Sequence, residues 1–306
     1  EDTDGDGKAE VAVGAEWNPN DTLKSGAVFL LEAPADRTAR WTPRRLPHDP
    51  TTHRMHWVRV ASGWTLAVLP LHGRGNRNGE GEGVRVLGYE WPWREGSVGV
   101  PLASDLPPLH LTHNFDLLPA AGGQQTESLL VAAKEGVLSI EAPANRSTPQ
   151  RFTAPPAGEV RRGTLPDGAR FIATIEPMHG NQVVVYRGAS TQYSSGADWS
   201  PTRNVVDESL NQGHGLAAAD LLGVGYDQVV AGWRGTRPGD RVGIRLYAAV
   251  DQGGREWRQH AVIDDNTMAC EDLKVADLDG DGRPEVIAAG RASHNVVIYW
   301  NETPRR

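Results

Sequence analysis

Two stretches of this sequence space their acidic residues as a hard cation requires. Asp277, Asp279, Asp281 and Glu285 fall in Asp277-Leu-Asp-Gly-Asp-Gly-Arg-Pro-Glu285, and Asp2, Asp4, Asp6 and Glu10 fall in Asp2-Thr-Asp-Gly-Asp-Gly-Lys-Ala-Glu10. Alternate acids put carboxylate oxygens on one side of a tight loop, and a backbone carbonyl completes such a cage, here that of Arg283 or Lys8. The expected ion is calcium in a structural role. In the helix–loop–helix calcium motif the closing Glu stands at position twelve and a helix follows. Here it stands ninth and an apolar run follows at once, which reads as strand–loop–strand. A third stretch, Asp220 to Gln228, has Leu222, Val224 and Gln228 where the full loops have acids. It is expected to hold a cation poorly.

A second set of residues has the types for acid–base chemistry. When the strands preceding the loops are aligned on the loop start, His56, His113, His214 and Glu271 fall at one position, with Glu159 a looser match. Just past the strands that follow come His72, Lys134, Glu135, Glu176, His179, Trp233, Arg234 and Arg291. Histidine suits a base or an acid because its free pKa lies near neutrality. Two or three histidines with Glu271 or Glu176 would alternatively hold a divalent metal (zinc, magnesium or calcium) that polarises a carbonyl. The expected catalytic set is His56, His72, His113, His179, His214 and Lys134, with Glu176, Trp233, Arg234, Glu271 and Arg291 contacting substrate. Each has a plainer reading. A lone histidine is more often a hydrogen-bonded structural residue, Trp233 is as well read as packing as it is a sugar platform, and the arginines as surface charge. His48, His53, His260 and His294 lack matched positions and read as surface or local hydrogen bonding. Cys270 reads as a small buried residue.

These residues need a scaffold that brings distant positions together, and the chain repeats. Apolar runs recur at Glu10–Gly14, Leu66–Pro70, Leu129–Ala133, Phe171–Ile175, Gln228–Gly232 and Glu285–Ala289. Their spacing, about 40 to 60 residues, fits one four-stranded propeller blade per repeat. High glycine and proline (35 and 21 residues) and the absence of a long helical period agree with many short strands joined by turns. The expectation is an all-β chain, a single β-propeller domain over 1–306 with six recognisable anchors. A seven-bladed parent, incomplete at the N-terminus, is favoured, because the first anchor lacks a preceding strand. Inner strands line a propeller's channel, so the matched histidines would converge at its axis. The segments 74–84 and 144–158 read as surface loops.

Composition narrows the partners. The net charge of −8 argues against nucleic acid, whose phosphates need a basic face. The single cysteine rules out an internal disulfide. No apolar run approaches the ~18 residues of a membrane span. No Gly-x-Ser-x-Gly elbow marks a serine hydrolase.

The loops and their following strands resemble the FG-GAP (VCBS-type) repeats of β-propellers, including integrin-like ones. A narrower resemblance rests on Leu71–Gly75, Leu111–Phe115, Ala133–Gly136, Ile175–Gly180, Gln212–Gly215, Ala231–Arg234 and Asp265–Asp272. These are similar to the propeller of the fungal aldos-2-ulose dehydratase family and, in kind, to propeller lyases that cleave uronate-containing glycans. The resemblance implies a metal-containing sugar lyase or dehydratase, with an extracellular or periplasmic setting. The expected function is metal-assisted β-elimination on a keto-sugar or uronate glycan. The alternative is a non-catalytic glycan- or protein-binding propeller, which would have no need of a histidine-rich face.

Overall fold

Five of the six apolar runs form the second strand of an antiparallel sheet, and the first run, at residues 10–14, forms the opening strand of its own; β-branched and small apolar residues suit such a packed, pleated surface. The computed structural model describes residues 1–103, 107–119, 126–141, 150–188, 201–235 and 237–304. The chain divides into two compact units, Glu1–Thr153 and Ala154–Arg306.

In the first unit β1 (Val11–Ala15), β2 (Ala27–Glu32) and β3 (Thr42–Leu46) form one sheet; β4 (Thr52–Val60), β5 (Gly63–Pro70), β6 (Leu87–Trp91) and β7 (Val100–Pro101) the next; and β8 (Thr112–Leu118), β9 (Ser128–Ala133), β10 (Gly136–Glu141) and β11 (Gln150–Thr153) the third. The second unit repeats the scheme. Its sheets are β12 (Glu159–Thr164), β13 (Arg170–Glu176), β14 (Gln182–Arg187) and β15 (Thr202–Asp207); then β16 (Gly213–Ala219), β17 (Gln228–Trp233), β18 (Gly243–Ala249) and β19 (Trp257–Asp265); then β20 (Asp272–Ala276), β21 (Glu285–Gly290) and β22 (Asn295–Tyr299). All neighbours are antiparallel and follow chain order. The fold class is that of a six-bladed β-propeller, with three blades in each unit. The anchors account for all six sheets, and no seventh sheet occurs among the described residues. Part of the expected 144–158 loop lies outside those residues; Gln150–Thr153 is strand. No described helix is long and apolar enough to cross a membrane.

The core runs between the blades of each unit. In the first unit Leu69, Phe115, Leu129 and Val131 are fully enclosed; in the second, Phe171, Ile175, Leu216 and Val229 are. Tyrosines tie blade to blade where the outer strands meet. Tyr247 Oη on β18 donates to Asp207 Oδ2 on β15 at 2.6 Å, and Tyr299 Oη on β22 donates to Asp264 Oδ2 on β19 at 2.8 Å. Burial alone would raise the Asp207 pKa, but bonds from Tyr247, Ser209 and Arg245 outweigh it and hold the carboxyl below its ordinary value. Burial drives the Tyr247 hydroxyl up, with its bond to Asp207 adding to the effect.

Candidate active site

Three inner strands carry an extra residue at their start. On β16, Gly213 faces Trp233 and Gly215 faces Gly232, leaving His214 outside the ladder. On β8, Thr112 faces Ala133 and Asn114 faces Ala132, leaving out His113. On β4, Thr52 faces Pro70 and Arg54 faces Leu69, leaving out His53. Such a bulge re-aims a side chain without disturbing the period-two core pattern beyond it. In the last blade Asp272 faces Ala289, and the Glu271 N–H donates to Ala289 O at 2.8 Å. Glu271 therefore takes the His214 position.

His53, not His56, is thus the partner in register of His113 and His214. His56 sits in the regular ladder opposite Ala67, and its ring meets Phe115 edge-on at 4.8 Å. The expected alignment of His56 fails because it presumes a loop of equal length after each inner strand. Between β4 and β5 there is no calcium-type loop, only the two-residue turn Ala61-Ser62 closed by Val60 and Gly63. The visible signal is a histidine three residues before His56, at the strand start. His53 tilts against His113, with ring centroids 4.8 Å apart.

In the second unit the polar residues gather. His179 lies in the turn after β13 at φ +50°, and Gly213 N donates to Gly180 O at 2.8 Å, fixing that turn against the start of β16. The His179 and His214 rings stack, with centroids 4.6 Å apart and planes 21° apart. Gly158 helps to seat this turn: its N–H donates to Ile175 O at 3.0 Å, as Glu271 does to Ala289, and a side chain there would press on His179 N and Met178 Cα at 3.2 Å. His214 Nδ1 is hydrogen-bonded to Glu271 O. A carbonyl only accepts, so Nδ1 carries a proton, and Nε2 lies 3.8 Å from Glu271 Oε1. That oxygen also accepts from Arg234 Nη1 at 2.7 Å and lies 3.2 Å from Arg291 Nη2. Arg234 Nη2 reaches His179 Nδ1 at 3.4 Å, while Arg234 Nε is buried without a hydrogen bond. His214 is enclosed, Glu271 partly open, and Arg291 62% exposed, so the cluster grades from buried imidazole to solvent.

Other expected residues have different surroundings. Glu176 is buried and accepts from Thr174 Oγ1 (2.8 Å), Tyr186 Oη (2.7 Å) and Arg203 Nη2 (2.8 Å) and Nε (3.2 Å). Its carboxylate is consumed by a blade-internal network. Trp233 is 5% exposed, donates through Nε1 to Arg241 O, and is covered by the Arg245 guanidinium 4.5 Å from its ring. It packs the core and presents no open face to a sugar, contrary to the platform expectation. In the first unit Lys134 Nζ donates to Gly79 O at 3.1 Å, and His110 Nδ1 lies 2.8 Å from Glu135 Oε1. Burial holds the His72 imidazole below its usual range, against the opposing effect of a bond to the His110 backbone.

The acidic loops are built alike. Asp277 Oδ1 and Oδ2 accept from Gly280 N and Gly282 N, as Asp2 does from Gly5 N and Gly7 N. Glycine is required there because these residues stand at φ between +77° and +82°. Ligand atoms of Asp277, Asp279 and Glu285, and of Asp2, Asp4 and Asp6, lie within 4.8 Å of one another. Asp281 pairs with the Arg283 side chain, and Asp6 with Lys8 Nζ at 3.2 Å.

No protein-family model matches the chain. It is 26% identical over 317 aligned residues to aldos-2-ulose dehydratase of Phanerodontia chrysosporium, covering 91% of this chain and 33% of that protein. The chain thus spans a third of the length of that curated relative. Two solved structures are similar at low scores. One is BBS1N in complex with ARL6DN, soaked with mercury (TM-score 0.42, 12% identity, 91% of this chain and 89% of that one). The other is the same complex soaked with lead (TM-score 0.40, 10% identity, 97% and 95%).

Proposed function

We propose that this chain is a carbohydrate-active carbon–oxygen lyase, performing β-elimination or dehydration on a keto-sugar or uronate-containing glycan, with the His179–His214–Glu271 cluster as its reacting end. The observation that carries the reading is the stacked imidazole pair beside a carboxylate braced by two arginines. The distant likeness to a sugar dehydratase supports the substrate class.

The reaction removes a proton beside a carbonyl or carboxylate, moves the electron pair onto that oxygen, and expels a β-hydroxyl or glycosyl group with a proton. His214 presents its lone pair at Nε2 and suits the base. His179, accepting from Arg234 at Nδ1, carries its proton at Nε2 and suits the acid. Arg291 is open to solvent and the buried Arg234 Nε makes no other bond, so both suit the oxygens that gain charge. In the first unit His113 is a candidate by register, and His72 and Lys134 by their place past β5 and β9.

A divalent ion fits the donor set in part. His179 and His214 offer ring nitrogens within 4.8 Å of each other, and Glu271 Oε1 lies 3.8 Å from His214 Nε2. Ligands about 2.0–2.2 Å from a shared ion span that gap, although the arginines compete for the carboxylate. When bound, the ion would polarise the substrate carbonyl. Calcium is proposed for the all-oxygen loops at 277–285 and 2–10, together with an extracellular or periplasmic setting.

The test mixes the protein with keto-sugars and uronate glycans and follows ultraviolet absorbance of the conjugated product. Product from the wild type, and a fall in kcat of about 100-fold or more in H214A and in H179A, is expected. Glycan binding without product across the panel would replace this reading with that of a binding propeller.

A further inference from the structure

Trp17 belongs to no part of the reacting cluster, yet it is placed like a ligand platform. It stands two residues beyond the end of β1. Ala15 pairs Ala27 as Trp233 pairs Gly243, so Trp17 falls at the same strand end as Arg234, one residue further on. Its indole stacks on His53, with centroids 5.4 Å and planes 25° apart, and His53 in turn tilts against the buried His113. One side of the ring is thus braced by an imidazole from a bulge position while the residue stays 37% exposed.

The loop that carries it is held in place. Ser25 Oγ lies 2.7 Å from both Asn18 O and Asp21 O; Asp21 Oδ1 accepts from Leu23 N and Lys24 N; Gly26 N donates to Glu16 O at 2.8 Å. Arg45 grips Glu16 with both terminal nitrogens, at 3.1 and 2.8 Å. A large aromatic face fixed before any ligand arrives binds without an ordering cost. Sugar rings present C–H faces that suit such a surface, and a rigid aromatic tolerates variation in the hydroxyls around it.

We propose that Trp17, backed by His53, is a sugar-ring stacking subsite in the first unit, a specificity determinant that binds substrate and takes no part in proton transfer. This rests on the carbohydrate reading above. The test uses the full chain and two probes, a hexos-2-ulose and tri-galacturonate, with wild type, W17A and W17F compared by turnover and by saturation-transfer NMR. Thermal melts confirm that each variant is folded. If the wild type turns over either probe, W17A should raise its KM roughly tenfold with kcat within about twofold, and W17F should recover most of the loss. An unchanged KM in W17A overturns the subsite while leaving the lyase reading intact. If the wild type turns over neither probe, the lyase reading fails for those sugars and the NMR arm decides. Saturation transfer lost in W17A and kept in W17F upholds the platform; equal transfer in W17A, or none in the wild type, overturns it.

Discussion

In loop 277–285, Asp277 holds Gly280 N and Gly282 N, and Glu285 Oε2 accepts from Leu278 N at 2.8 Å. In loop 220–228, Asp220 holds Val224 N and Gly225 N, and Gln228 Oε1 accepts from Leu222 N at 2.9 Å. The two frames are alike, each built by the first and ninth residues, but two of the three bonds sit one position later in the second loop, at Val224 and Leu222, and the second and third acids are gone. What the second loop has instead is Asp227. Its N–H donates to Thr164 O at 2.9 Å and its Oδ2 accepts from Thr164 N at 2.7 Å, clasping the neighbouring blade. Proline occupies that place in the first loop. Each loop is therefore a turn held by its own hydrogen bonds, and the further acids of 277–285 are an addition to it. One loop carries four acids and the other a clasp onto the neighbouring blade.

The contrast can be broken by swapping its parts. The largest effect is expected from E285Q, which keeps an oxygen for Leu278 N but removes a carboxylate from the proposed cage. Calcium affinity at that loop should fall by about 100-fold, read by calorimetric titration, with little change in the calcium-free melting temperature. The converse triple change L222D, V224D and Q228E should create calcium binding where the wild-type loop has none, in roughly the micromolar-to-millimolar range. If it does not, the frame is less portable than the shared bonds imply. Next come D277A and D220A, each removing two backbone bonds. Both should lower the calcium-free melting temperature by about 2–4 °C, but only D277A should abolish stabilisation by added calcium.

The smallest effect is a pH dependence confined to the clasp. Burial is the main cause that raises the Asp227 pKa above its ordinary 3.8, against the bond from Thr164 N. A carboxyl whose folded pKa is raised contributes fully below the unfolded value and loses that contribution as pH rises through the folded value. The wild type should therefore lose a little stability relative to D227N as pH climbs from below 3.8 through the raised folded pKa, by roughly 1 kcal/mol or less. A difference between the two melting curves that stays flat with pH would remove the clasp from the account.

Sequence patterning reached the sheets and the loops because both are local. The anchors Leu129–Ala133 and Gln228–Gly232 lie within β9 and β17, and the glycines of the acidic loops stand at positive φ as their spacing requires. The candidate site was legible only where blades share a loop length. His214 and Glu271 align because a nine-residue loop follows both strands; His53 was passed over because β4 ends in a tight turn. A bulge leaves no mark in hydrophobic period until its partner strand is known. Trp233 reads as an open aromatic until Arg245 and the core enclose it, and the Glu176 network depends on Arg203 and Tyr186 from other strands. Asp227 looked like part of a degraded cation loop, and its bond partner lies 63 residues away.

The added residue at His53, His113 and His214 separates two kinds of inheritance in this fold. Whatever occupies that place is outside the period-two alternation of the strand, and the four equivalent positions hold three imidazoles and one acid, Glu271. The charge carried at the start of an inner strand is thereby uncoupled from the pattern that fills the interior.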